Sequence, residues 1–261
     1  PLKFFSMHVL VLDSIHGGKD IGSAYREAGH SVDVVDVYCG TTPGEMLAAH
    51  NRHYNLVAAP VHLDPDHPLL ASRTEPVITH HEAVRQLLGE HRPRPMIEIT
   101  GARGKTTTAH ALAYVLPGRG VLHTSAGTFR CPGRDLLEKK SITPASVIAA
   151  ARYTREMAGW LIAEISLGVT GAGDLAIITS PEDYPIARGK KHAIDAKIAS
   201  AIHAKRVLVA AVPNLFDMRP IDGGAWVENL AHRSSVKAEP AYNFASVANH
   251  ARLCRQGTGY I

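Results

Sequence analysis

The segment Met96-Ile97-Glu98-Ile99-Thr100-Gly101-Ala102-Arg103-Gly104-Lys105-Thr106-Thr107-Thr108 constrains this chain more than any other. A largely apolar run feeds a glycine turn, after which Ala109, Leu112, Ala113 and Leu116 recur at helical spacing. The spacing predicts a strand, a glycine loop and a helix. The glycines let backbone N–H groups point at an anion, and the helix start adds partial positive charge. Lys105 is placed to reach terminal phosphates, and the adjacent hydroxyl of Thr106 to hold magnesium. Gly101, Ala102, Arg103, Gly104, Lys105, Thr106 and Thr107 are therefore expected to bind a nucleotide. Two residues separate the glycines, where the strict phosphate-loop pattern has four.

The first ninety residues repeat the alternation of strand and helix. His8 to Asp13 is an apolar run ending in Ser14-Ile15-His16-Gly17-Gly18, and Ile21, Ala24, Tyr25 and Ala28 follow at helical spacing. Further strands are expected at Val32–Val37, Leu56–Val61 and Pro76–Thr79, which argues for a parallel α/β sheet. Gly17, Gly18 and Gly22 imitate a dinucleotide fingerprint only loosely and lack its spacing. In an open parallel sheet, ligands sit at the carboxyl ends of the strands. His16, His62, His80 and His81 all fall at such ends and are expected to converge on one crevice. The alternative is four polar loop histidines with no ligand.

Composition narrows the class. The 261 residues are 45% hydrophobic and 20% charged, inside the globular range, which excludes a disordered chain. No apolar run approaches the roughly 20 residues that a bilayer requires, so no membrane is expected as partner. Cys39, Cys131 and Cys254 are widely spaced and odd in number, giving neither a disulfide framework nor a zinc site, and a reducing cytoplasm is the expected location. The formal net charge of +4 is spread along the chain rather than blocked. That favours an anionic small molecule over nucleic acid.

Downstream, Trp160 to Ile165 reads as an apolar strand carrying one carboxylate, Glu164, a cost that pairing or a magnesium ion would remove. Leu175 to Thr179 is another strand, and a helix from about Ala193 to Ala204 is expected to carry Lys197 on its polar face. Glu182, Asp183 and Lys197 read, on their own, as solvated surface charges.

The loop Gly101–Thr107 resembles the shortened phosphate loop of the Mur ligases, which activate a carboxylate with ATP as an acyl phosphate before ligation. Glu164-Ile165-Ser166 is similar to their Glu-x-Ser segment, whose glutamate binds magnesium, and Thr179-Ser180-Pro181-Glu182-Asp183-Tyr184 resembles their Thr-Asn-x-x-x-Asp-His stretch. Lys197 stands where the family carries a lysine that is often carbamoylated and holds a second magnesium. Ser180 replaces the asparagine and Tyr184 the histidine. The resemblance implies a Rossmann-like N-terminal domain (1–92), a central phosphate-loop ATPase domain with a mostly parallel sheet (93–213) and a remnant of a third domain (214–261). It implies ATP and Mg2+ as cofactors, Thr106 and Glu164 as metal ligands, and Lys105, Glu164 and Lys197 as catalytic residues.

Other phrases are more particular: His16-Gly17-Gly18, Ala59-Pro60-Val61-His62-Leu63-Asp64-Pro65, Val77-Ile78-Thr79-His80-His81, His123-Thr124-Ser125 and Ile142-Thr143-Pro144-Ala145-Ser146. As a set they resemble a branch of the Mur-like ligases that closes the last carbocycle of a nickel tetrapyrrole by forming a carbon–carbon bond. The resemblance implies an anionic nickel tetrapyrrole as the substrate, with nickel present only as part of it. His16, Gly17, Gly18, His62, His80, His81 and Ser125, together with the rest of 123–127, are then the expected substrate-binding residues. Another Mur-like ligase, joining an amine to the activated carboxylate, remains open, as does a nucleotide-binding scaffold without catalysis. Mur-type ligases carry a full third domain, whereas 48 residues follow Pro213 here. The expectation is a longer chain, with stretches missing after Ala71, around Arg130 and beyond Asn214. The sequence leaves the oligomeric state open.

Overall fold

The computed structural model describes residues 6–38 and 41–209. The expected third-domain remnant, Cys39 and Cys254 lie outside the described residues.

The first module builds β1 (His8–Leu12), a turn at Ser14–Gly18, α1 (Lys19–Glu27), β2 (Ser31–Val35), α2 (Pro43–Asn51), β3 (Leu56–Ala59), α3 (Pro68–Ala71), β4 (Val77–Thr79) and α4 (His80–Leu88). Its strands form one parallel sheet in the order β2-β1-β3-β4. The chain passes from β1 to β2 on one side and then crosses back from β2 to β3 on the other, so the strand order reverses between β1 and β3 and a crevice is expected at their carboxyl ends.

The second module begins with β5 (Met96–Thr100) and α5 (Lys105–Val115), followed by β6 (Gly120–Thr124), β7 (Gly127–Cys131), β8 (Asp135–Glu138), α6 (Ser146–Met157) and β9 (Trp160–Glu164). It continues with β10 (Leu175–Ile178), the short pair β11 (Pro185–Ile186) and β12 (Lys191–His192), α7 (Ala193–Ala201) and β13 (Val207–Val209). The sheet order is β13-β10-β5-β9-β6-β7-β8. The pairs from β13 to β6 are parallel, while β6-β7-β8 is an antiparallel meander that periodicity did not predict. Ala71 closes α3, and Arg130 lies within the regular β6–β7 ladder opposite Val121.

Strand burial on both faces explains the near-continuous apolar runs. Along β1, Val9 and Val11 face one core while Leu10 and Leu12 face another with Tyr54 and Val57. The first of these cores is shared: Val9, Ile21, Tyr25 and Val84 join Val147, Ala150, Leu161 and Ala163. Helix α4 packs against α1 and α6 there. The far face of the larger sheet buries Ile99, Ala109, Leu122, Trp160, Ile162 and Ile177. Architecture and class agree with the α/β expectation. Among the described residues, no helix is long and apolar enough to cross a membrane.

Candidate functional site

Strand β5 ends at Thr100 and the chain turns through Gly101, with φ +146, into Gly104, with φ +80, which caps α5. A Cβ on Gly101 would stand 2.2 Å from Thr179 Oγ1, so a side chain is excluded by both space and backbone angle. Gly101→Ala is expected to displace the loop from Thr179, weaken nucleotide binding at least tenfold and lower the melting temperature. A nucleotide titration beside a thermal melt measures both, and unchanged affinity would show that the loop does not depend on this close approach.

Side chains of three elements meet at the start of α5. Thr106 Oγ1 donates to Glu164 Oε2 at 2.9 Å, and the Ser125 backbone N–H donates to the same oxygen at 3.2 Å. Glu164 ends β9 next to β5 and is almost fully buried. A buried carboxylate beside a hydroxyl is an oxygen-only donor set, the kind that hard divalent cations take. Ser125, expected among the substrate-binding residues, sits with Thr106 and Glu164 at the glycine loop. His123 is fully buried in β6, its Nδ1 paired with Thr128 Oγ1 at 2.8 Å. Burial pushes its pKa down to about 4.

The loop amides of Ala102 and Arg103 donate to Ser180 Oγ at 2.9 and 3.1 Å. Lys105 Nζ donates to the carbonyls of Gly101 at 2.9 Å and Ala102 at 3.5 Å. Arg103 is exposed and pairs with Glu182 at 3.1 Å, while Thr107 is exposed on the first turn of α5.

Lys197 is not on a polar face. It is fully buried on the side of α7 that turns inward, its Nζ without a hydrogen-bond partner and 4.8 Å from the centroid of the Tyr184 ring. Burial, then the nearby charge of Lys105, lowers its pKa, against the opposing pull of Asp183 and Glu182. Helical spacing alone could not reveal this, because α7 packs beneath β10 and the 180–184 segment folds over it. Asp183 accepts from the Ile194 N–H at 3.0 Å and contacts His192, which holds the start of α7 in place.

The histidine crevice is the second half of the site. His16, His62, His80 and His81 converge there with Ser166 and Leu167. Gly17 lets the His16 turn press on the other module: a Cβ there would stand 2.5 Å from Ala145 Cβ. Gly18 is buried at the start of α1. His81 Nε2 lies 2.9 Å from the Ser166 carbonyl and donates to it, which makes a bond between α4 and the residue two beyond Glu164. Burial pushes both His80 and His81 down to about 4.

Sequence reasoning missed Asp13. It closes β1 fully buried with φ +79, accepts from the backbone N–H groups of Ile15 and His16, and binds His16 Nδ1 at 2.7 Å. The signal was present as an aspartate ending an apolar strand before a glycine turn, a setting in which its side chain caps the following amides.

No family model matches the chain. It is 36% identical over 234 residues to the coenzyme F(430) synthetase of Methanosarcina acetivorans, covering 78% of this chain and 49% of that protein. It is 24% identical over 221 residues to the coenzyme F(430) synthetase of Methanocaldococcus jannaschii, covering 76% and 50%. The chain therefore spans about half the length of the curated relatives it matches. Among solved structures it resembles UDP-N-acetylmuramate:L-alanyl-gamma-D-glutamyl-meso-diaminopimelate ligase from Neisseria meningitides, with 11% identity, a TM-score of 0.42, and coverage of 80% of this chain and 72% of that one.

Proposed function

From its homology to the coenzyme F(430) synthetases over about half their length, we propose that the chain is the N-terminal and ATP-binding part of a ligase that closes the final carbocycle of a nickel tetrapyrrole. Residues 1–92 supply the substrate-binding module and 93–213 the ATP-binding module. The carrying observation is that the glycine loop with Thr106 and Glu164 opens beside a histidine crevice, the two joined by the short segment 164–166.

The phosphates of ATP lie along the loop from Gly101 to Thr107. Lys105 exchanges its loop carbonyls for the β and γ phosphate oxygens. Thr106 and Glu164 would hold magnesium, which when bound neutralises charge on the phosphates. A propionate of the substrate attacks the γ-phosphorus, ADP leaves, and an acyl phosphate forms. Lys105 stabilises the charge on the transferring group by electrostatics rather than proton transfer. A ring-adjacent carbon of the macrocycle then attacks the acyl carbon, phosphate departs, and that carbon gives up its proton.

Buried Lys197, with its lowered pKa, is more readily neutral than a surface lysine, and a neutral amine is the form that takes up CO2. Carbamoylation of Lys197 would turn a buried cation beside Tyr184 into an anion able to hold a second magnesium. The crevice, at about 210 Å³, is smaller than the roughly 300–1,000 Å³ of ordinary small-molecule pockets. A tetrapyrrole therefore lies across its mouth, with the histidines meeting one edge or the metal face. The basic balance of the chain suits a polycarboxylate.

The test uses full-length protein with ATP, magnesium and the open-ring nickel tetrapyrrole acid, following phosphate and macrocycle mass. Loss of one water from the macrocycle per phosphate released is the expected result. Phosphate released only with an added amine would assign the amine-joining reading, and nucleotide bound without turnover the scaffold.

A further inference from the structure

We propose that Asp13, His16 and His62 form a binding site for a divalent first-row transition-metal centre. Asp13 closes β1 and His62 follows β3, the neighbouring strands between which the sheet order reverses direction. Ligands of open parallel sheets bind at that place. The ligand atoms of the three residues lie within 4.8 Å of one another. Imidazole nitrogens and carboxylate oxygens sit about 2.0–2.2 Å from such a metal, so small side-chain rotations close the set.

The electrostatics point the same way. Asp13 is fully buried, yet its described partners are two backbone N–H groups and the His16 ring, with no lysine or arginine among them. A buried carboxylate held by two amides and an imidazole has no permanent countercharge, and a bound cation would supply one. A left-handed backbone at a non-glycine residue, held by the caps at Ile15 and His16, keeps this carboxylate aimed at the turn. His80 lines the same crevice, and its buried Nε2 has no hydrogen-bond partner. The Tyr38 ring stacks on His62 at 5.8 Å and meets His16 edge-on at 5.4 Å, which fixes both imidazole planes.

Two imidazoles and one carboxylate suit first-row transition metals such as iron, nickel or zinc better than magnesium, and three protein ligands would leave room for a further ligand from the crevice. The metal can come from two sources: a free ion, or the nickel centre of a macrocycle taking one imidazole axially. The second source rests on the function proposed above. The first does not.

Metal-stripped full-length protein would be titrated calorimetrically with Ni2+, Co2+ and Zn2+, with Mg2+ as the hard-cation control and Co2+ absorption as the report of geometry. One ion per chain is expected, with affinity at least tenfold weaker in His16→Ala and in His62→Ala. His53→Ala, at an exposed position away from the site, controls for background binding by the other histidines. In a second arm a nickel(II) polycarboxylate tetrapyrrole is mixed with the protein, and a shift of its absorption band that vanishes in His16→Ala is expected. A response to the free ions alone assigns a resident ion, and a response of the macrocycle alone assigns the substrate's nickel. Either supports the ligand set. If neither probe responds, or all variants with native melting temperatures respond as the parent does, the site is not a metal site, whatever the outcome of the ligase assay.

Discussion

Lys105→Ala is expected to lower ATP-dependent phosphate release by about 10²- to 10³-fold, the loss that follows removal of one preorganised donor to a developing negative charge. Its Nζ is held 2.9 Å from the Gly101 carbonyl, over the loop where a transferring phosphoryl group would lie. The fold should survive, because Lys105 is only half-buried and its described hydrogen bonds go to two loop carbonyls. Lys105→Arg should rescue little, since a planar fork cannot replace a compact ammonium in a tight loop. Steady-state phosphate release beside a thermal melt separates the two effects. An alanine variant within threefold of the parent would remove Lys105 from the chemistry.

Acidification from pH 6.5 to 4 should destabilise the fold severely. Burial holds His80, His81 and His123 neutral down to about pH 4 in the native chain, whereas an unfolded histidine takes up its proton near 6.5. Below 6.5 the unfolded chain therefore binds more protons than the native one, and stability falls until the native groups also protonate. Each of the three is worth about 3 kcal/mol across that window. Together, at about 9 kcal/mol, they fall within the roughly 5–15 kcal/mol that keeps a domain folded. Urea midpoints measured at pH 7.5, 6, 5 and 4.5 should fall steadily. A midpoint constant between pH 7 and 5 would mean that these side chains are hydrated in the native state.

What could be read from the sequence was what local pattern controls. Apolar runs and glycine turns located β1, β3, β5, β9 and β10, and the glycine loop with Lys105 and Thr106 stood out because its residue types are rarely placed together without an anion to bind. The convergence of four histidines followed from strand ends in a parallel sheet, and the crevice places them together. What the pattern missed depends on tertiary packing. Lys197 reads as a surface residue until Tyr184 folds across it. His123 lies in an interior strand between β9 and β7, where its neighbours, not its polarity, set its burial. The Ser180 hydroxyl under the loop amides owes its role to contacts that no spacing rule encodes, whereas the Asp13 cap is a local pattern, an aspartate before a glycine turn, that reading for charged and histidine clusters passes over.

The bond from His81 to the Ser166 carbonyl has a thermodynamic consequence. Ser166 follows Glu164 by two residues, so under the proposed function a molecule seated against the histidines and a nucleotide on the glycine loop would press on the same short stretch of chain. Any linkage carried by that strand end would be symmetric: whatever factor the first ligand applied to the affinity of the second, the second would return to the first.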